Sequence, residues 1–296
     1  MEQNKISRRN FLRVAGASAT AAAMGGLVPA ASAAGIKDLW SMDLQILATS
    51  DTHGKFDPWD YAANKADASG SVAQQATAIK ENRTKTTLVV DAGDTIQANS
   101  AELFLNDDVH PMIAAQNAIG YDVYVTGNHE WASGRMPEMR QLLEETGVTY
   151  LSNTFVPLER SGDTITLAGI DDPNGYADQT TPEELAAKLY AQQEAPFWLL
   201  LAHRNTFFNG RYCRLGADLT FCGHAHGGIW RLPFTDGLVD TNLNLLPSFT
   251  SGFYHCNDVD CEGAEVFVSR GLGNSPKWAF RLFNRPQVAV ITLKKG

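Results

Sequence analysis

Short apolar runs alternate with stretches in which apolar side chains recur every three or four positions, from residue 44 to residue 226. Residues 44–48 read as a first buried strand that ends at Asp51-Thr52-His53-Gly54, and residues 71–82 carry a helical period. A second strand, 87–90, ends at Asp91-Ala92-Gly93-Asp94. Pro111 opens a helix over 111–118 from the first-turn position that tolerates proline. Strand 122–125 runs into Gly127-Asn128-His129-Glu130, and an amphipathic helix over 137–145 stops at Gly147. Residues 149–152 and 164–170 read as strands. A helix over 182–193 has Thr181 as N-cap and Glu184 at the capping-box position. Strand 197–201 ends at His203, and strand 219–221 ends at Gly223-His224-Ala225-His226-Gly227-Gly228. Beyond this point the helical period fades. Residues 265–269 and 288–293 alternate as strands, and Pro233, Pro247, Pro276 and Pro286 mark loops between them. The pattern predicts one α/β domain over residues 34–296 with a strand-rich second half.

Residues 1–33 stand apart from that pattern. Ser7-Arg8-Arg9-Asn10-Phe11-Leu12-Arg13 reads as a twin-arginine export signal, followed by a weakly apolar run and by Ala31-Ser32-Ala33, small residues suited to a signal peptidase. The expectation is export by the twin-arginine machinery of a bacterium to the periplasm, cell wall or medium, with no integral membrane span in the mature chain. The run from 14 to 29 is too short and too rich in Ala, Gly and Ser for a span.

Composition changes this picture little. The 44% hydrophobic and 19% charged content suits a globular domain with a sizeable core. Loss of the leader removes Lys5, Arg8, Arg9, Arg13 and Glu2 and takes the net charge from −9 to −12. Bulk charge therefore argues against binding a nucleic-acid polymer or an anionic membrane. Four cysteines remain, of which Cys256 and Cys261 flank a predicted hairpin tip and form a candidate disulfide in an oxidising compartment. Cys222, beside the histidine pair, reads as a small core residue.

The candidate chemistry sits at strand ends. Five of them present Asp51 with His53, then Asp94, Asn128 with His129, His203, and His224 with His226. These hold five of the seven histidines, His110 and His255 being the other two. In open α/β sheets, ligands collect beyond the carboxyl ends of strands. Imidazole and carboxylate together suit Zn, Mn or Fe. A carboxylate such as Asp94 bridges two ions, and ions about 3.5–4 Å apart acidify a water and hold phosphate oxygens.

In order and spacing, Asp51-x-His53, Gly93-Asp94, Gly127-Asn128-His129-Glu130, His203 and Gly223-His224-x-His226 resemble the motifs of the calcineurin-like metallophosphoesterases. The resemblance implies a four-layer αββα sandwich, two mixed β-sheets flanked by helices, with the metal site at strand C-terminal ends. It implies two divalent metal ions (Mn, Fe or Zn). Asp51, His53, Asp94 and His226 would hold one; Asp94, Asn128, His203 and His224 would hold the other. His129 would face the substrate as general acid in a phosphoric ester hydrolysis by metal-activated water.

Two branches of the family are echoed. Residues 43–155 resemble the catalytic domain of 5'-nucleotidases and 2',3'-cyclic nucleotide phosphodiesterases. Ala132 stands where those enzymes carry an Asp partner for the catalytic His, which leaves Glu130 as a possible support for His129. No counterpart of their base-stacking domain precedes Gly296, so nucleotide preference is expected to be weak. Residues 163–293, including the stretch from Arg281 to Pro286, resemble exported envelope phosphoesterases, although His203-Arg204-Asn205 departs from the Asn-Pro-Asp that often follows. Hydrolysis of a phosphodiester is expected ahead of a monoester. A nucleotidase is the alternative, and a catalytically silent envelope-binding protein is the rival from another class. Arg204, Arg231 and Arg270 lie beside motif positions as candidate phosphate clamps.

Overall fold

The computed structural model describes residues 15–17, 43–60, 64–96, 110–146, 148–160, 163–175, 179–194, 196–232, 235–256, 261, 263–274 and 280–294. In chain order its elements are β1 (Ala15–Ala17), β2 (Leu44–Thr49), β3 (Trp59–Asp60), β4 (Lys65–Ala66), α1 (Val72–Asn82), β5 (Thr87–Asp91), α2 (Pro111–Ile119), β6 (Val123–Tyr124), α3 (Asn128–Ala132), α4 (Met136–Thr146) and β7 (Thr149–Tyr150). The chain continues through β8 (Thr154–Arg160), β9 (Asp163–Ile170), α5 (Pro182–Gln192), β10 (Trp198–Arg204), β11 (Leu219–Gly223), β12 (Trp230–Arg231), β13 (Gly237–Val239), β14 (Gly252–His255), β15 (Glu265–Val268) and β16 (Ala289–Leu293).

Two six-stranded mixed sheets result, ordered β1-β16-β2-β5-β6-β7 and β14-β15-β11-β10-β9-β8. Within the first, β2, β5, β6 and β7 run parallel; within the second, β9, β10, β11 and β15 do. Side chains alternate between two destinations. Ile46, Ala48, Val90 and Val123 meet Leu199, Leu201, Phe221 and Phe267 between the sheets. Their neighbours Leu47 and Val89 turn outward onto Ile79 of α1. Likewise Trp198, Leu200 and Ala202 turn onto Leu185 and Leu189 of α5. Met112, Ile113, Met139 and Leu143 of α2 and α4 cover Tyr124. The parallel strands are apolar on both faces because each face is covered. Each such buried side chain contributes on the order of 1.5–3 kcal/mol. The four-layer αββα sandwich expected from the sequence is the observed architecture.

Helix boundaries follow their caps. Thr181 Oγ1 accepts the Glu184 N–H and Glu184 returns to the Thr181 N–H, with Pro182 in the first turn. His110 is not a plain loop residue: its Nδ1 accepts the Met112 N–H at 3.3 Å and caps α2. Strand β8 is absent from the sequence reading because Pro157 speaks against a strand. It is an edge strand, where a missing donor faces no partner. Strand β14 was also missed; it pairs antiparallel with β15, and Cys256 and Cys261 are joined as a disulfide beyond their ends. Cys222 is buried beside the histidine loop, and burial pushes its thiol up. Gly147, Pro233 and Pro276 lie outside the described residues, as does the expected leader apart from 15–17, whose backbone pairs with β16. Among the described residues no helix is long and apolar enough to cross a membrane.

Candidate metal centre

The expected strand ends converge at one edge of the sandwich, β2, β5 and β6 from one sheet and β10 and β11 from the other. Asp51 and His53 follow β2, Asp94 follows β5, and Asn128 and His129 open α3 after β6. Strand β10 extends to Arg204, so His203 sits inside its last turn of pleat. The register against β11 shifts between Leu201 and Arg204, a bulge that re-aims His203. His224 and His226 follow β11.

Three groups of ligand atoms lie within 4.8 Å of one another: Asp51, His53 and His226; His53, Asp94 and His129; and Asp94, His203 and His224. The Nε2 atoms of His53 and His226 face each other at 3.0 Å, with their rings stacked at 4.8 Å. Asp51 Oδ1 lies 3.4 Å from His226 Nε2. On the other side, His203 Nε2 is 2.9 Å from Asp94 Oδ2, and the ring of His224 stands edge-on to His203 at 5.2 Å. The His129 ring meets His53 edge-on at 4.7 Å. All seven expected ligands except Asn128 fall in these groups, and Asn128 Oδ1 is buried with no hydrogen-bond partner.

The electrostatics are those of a site built around positive charge. Burial, then His226, holds His53 well below the usual imidazole range. Burial, then Arg281, lowers His226 to about 3, and burial, then His203, lowers His224 to about 3. These three rings are neutral lone-pair donors. Burial alone would lower His203 too, but the Asp94 carboxylate overrides it and raises the ring to about 10. His203 Nδ1 donates to Ala92 O at 2.8 Å, which fixes the ring so that Nε2 points at Asp94. At 2.9 Å the His203 Nε2 and Asp94 Oδ2 form a contact of opposite charges. A buried neutral imidazole trio, one orphaned amide oxygen and two carboxylates fit divalent cations.

Backbone geometry holds these groups at a cost. Asp51, His53, Asp94, His224 and His226 have φ of 50, 47, 59, 67 and 48°. Such left-handed residues are strained by roughly 1–3 kcal/mol each. The strain is held by amide donors: the His224 N–H reaches both Asp51 oxygens at 3.0 and 3.1 Å, and the His129 N–H reaches Asp94 Oδ1 at 2.8 Å. Two loops also approach closely, because a Cβ on Gly93 would lie 2.5 Å from Gly127 N and one on Gly127 would strike the Asp94 carboxylate.

Glu130 does not support His129 as the sequence had allowed. Its Oε2 accepts the N–H groups of Asp94 and Gly127 at 2.8 and 2.7 Å, and Oε1 those of Thr95 and Ile96 at 2.7 and 3.1 Å. Fully buried, it ties the Asp94 loop to the start of α3, and burial, then Asp94, raises its carboxyl. Sequence reasoning missed a second brace. Arg281 donates to the carbonyls of Arg270 and Gly273 at 2.8 and 2.6 Å, and Asn284 Nδ2 to His226 O at 2.7 Å. Burial lowers Arg281 to about 10, Asp51 opposing. The only sequence signal was the family likeness of the stretch from Arg281 to Pro286.

The three candidate phosphate clamps are spread. Arg204 Nε pairs with both Asp172 oxygens at 2.9 Å. Arg231 is committed to Gly227 O, Thr235 O, Asp236 and Thr250. Arg270 is half-buried, with Nε 3.4 Å from Ser251 Oγ, and burial, then Arg231, lowers it.

Residues 44–228 match the calcineurin-like phosphoesterase family model, and the chain belongs to that family. Over 103 residues it is 38% identical to the trifunctional nucleotide phosphoesterase protein YfkN of Bacillus subtilis, covering 31% of this chain and 7% of that protein. Over 102 residues it is 32% identical to a 2',3'-cyclic-nucleotide 2'-phosphodiesterase/3'-nucleotidase of Salmonella typhimurium, covering 32% of this chain and 16% of that protein. These matches thus span a fifth or less of either relative's length. The fold is similar to that of the NAD nucleotidase of Haemophilus influenzae, with a TM-score of 0.59 and 19% identity over 86% of this chain and 56% of that one. The chain therefore carries the fold and the candidate metal-ligand groups of that family.

Proposed function

We propose that the chain is an exported dinuclear phosphoesterase that cleaves a phosphodiester in preference to a monoester. The reading is carried by one observation: two acid–imidazole groups, Asp51 with His53 and His226, and Asp94 with His203 and His224, meet around Asp94. Asp51, His53, Asp94 and His226 would hold one divalent ion; Asp94, Asn128, His203 and His224 the other. Bound there, Mn, Fe or Zn supplies Lewis acidity toward the phosphate oxygens and toward water. The protein's own part is distinct. Asp51 and Asp94 set the charge, the Glu130 clasp holds the Asp94 loop in place, and His129 carries the proton that the departing alkoxide oxygen requires. Export rests on the twin-arginine stretch and on the Ala31-Ser32-Ala33 site, and the mature domain is 34–296.

Hydrolysis of an aryl phosphodiester and the matching monoester by metal-loaded protein tests this reading. Faster, chelator-sensitive turnover of the diester is expected. Monoester preference would favour the nucleotidase reading, for which the names of the relatives speak. Two bound ions without turnover of either would favour a silent binding protein.

A further inference from the structure

A cavity of about 350 Å³ opens beside the ligand groups just described, with His224 in its wall. Its volume falls within the span of about 300–1,000 Å³ usual for small-molecule sites. The wall holds four uncharged amides, Asn205, Asn209, Asn242 and Asn244, with Asp240 as its carboxylate and the rings of Phe249 and His224. The amides offer both donors and acceptors, and the carboxylate accepts. Asn205 is 4% exposed, spends its Nδ2 on Phe249 O at 2.8 Å, and leaves Oδ1 without a partner. A buried acceptor left in this state costs free energy.

The wall also says what does not fit. Among the described residues no Lys or Arg lines it, so a free phosphate or carboxylate finds no counter-charge there. The Phe249 ring is held edge-on between Phe208 and Tyr254, with centroids at 5.9 and 5.0 Å, and the other ring in the wall, His224, stands edge-on to His203 among the candidate ligands, so the pair forms no sandwich for a nucleobase. The loop is organised before any ligand arrives: Asp240 accepts the N–H groups of Asn242 and Asn244 at 2.8 and 2.9 Å. Amides, one carboxylate and one apolar face match a molecule dense in hydroxyls.

We propose that this cavity is a subsite for a sugar or polyol esterified to the phosphate at the metal centre. It rests on the phosphoesterase reading, with His224 as the wall the two sites share. The test uses Mn-loaded full-length protein and p-nitrophenyl phosphodiesters whose second alcohol is methyl, glyceryl, glucosyl or thymidyl. The kcat/KM of the glucosyl or glyceryl ester is expected to exceed that of the methyl ester by about tenfold, the worth of one or two hydrogen bonds. Asn205→Ala and Asn242→Ala should each bring that ratio toward unity. Asn242 is exposed, so its variant decides the matter if Asn205→Ala lowers the Tm. Equal kcat/KM on methyl, glyceryl and glucosyl esters overturns the subsite and leaves the phosphoesterase standing. A ratio unmoved in Asn242→Ala, or a preference for the thymidyl ester, overturns it equally. Turnover of none of the four overturns both readings together.

Discussion

The metal cradle and the asparagine-lined loop beside it share His224 and are built by opposite means. In the cradle, every carboxylate is buried and receives backbone N–H groups from another loop, as Glu130 does from three, with a fourth from the start of its own helix. In the loop, Asp240 binds only its own neighbours, and Leu243, Leu245 and Leu246 stand 64, 78 and 75% exposed. The candidate ligands are thus fixed by two sheets at once, whereas the proposed subsite sets one local turn against Asn205 and Asn209 beyond β10. Rigid positioning suits chemistry, where small displacements are costly. Loop construction suits selectivity, since loops change without disturbing a core.

The largest contrast should come from His129→Ala. Activity is expected to fall by roughly two to four orders of magnitude, about 3–5 kcal/mol in barrier, while elemental analysis still finds the metals. Loss of metal along with activity would place His129 in the cradle rather than at the substrate. Chelation comes next. Calorimetry should show a lower Tm for the stripped protein, since ions at a thousand times their Kd stabilise by about 4 kcal/mol. An unmoved Tm would mean that the left-handed ligand loops hold themselves without help. Replacing Glu130 by Ala leaves four N–H groups without their acceptor and should cost at least ~3 kcal/mol in urea unfolding. A cost under half a kcal/mol would dismiss the clasp. Converting Cys256 and Cys261 to Ser removes the staple on the strand that follows the loop, for about 2 kcal/mol with metal content intact. Least of all, Leu245→Ser should stay within about half a kcal/mol; a larger drop would show that the loop belongs to the rigid part.

How much of this was legible depended on whether the cause was local. The strands 44–48, 87–90 and 219–221 carry their burial in their own apolar letters, and the helix after Thr181 carries its own cap. The candidate ligands could be picked out because His and Asp beside glycines at successive strand ends have few other reasons to recur. Strand β8 did not, since its Pro157 is acceptable only at a sheet edge, a fact of topology. Glu130 was seen but misread: adjacency suggested His129, and only the approach of the Asp94 loop shows where its oxygens go. The cavity beside His224 joins residues 205–209 to 240–250, and no spacing rule connects them.

The left-handed backbone at Asp51, His53, Asp94, His224 and His226 bears on how freely this centre can be re-tooled. Ligand exchange is usually judged by donor chemistry alone, a softer thiolate here or a harder carboxylate there. At these five positions a newcomer must also accept a conformation that Asp, His and Asn visit several times more readily than most residues. A designer trading His224 for Cys, to draw a softer metal, would meet a backbone toll before any coordination bond forms. The alphabet of workable centres on this scaffold is accordingly short, and its letters are largely those already written.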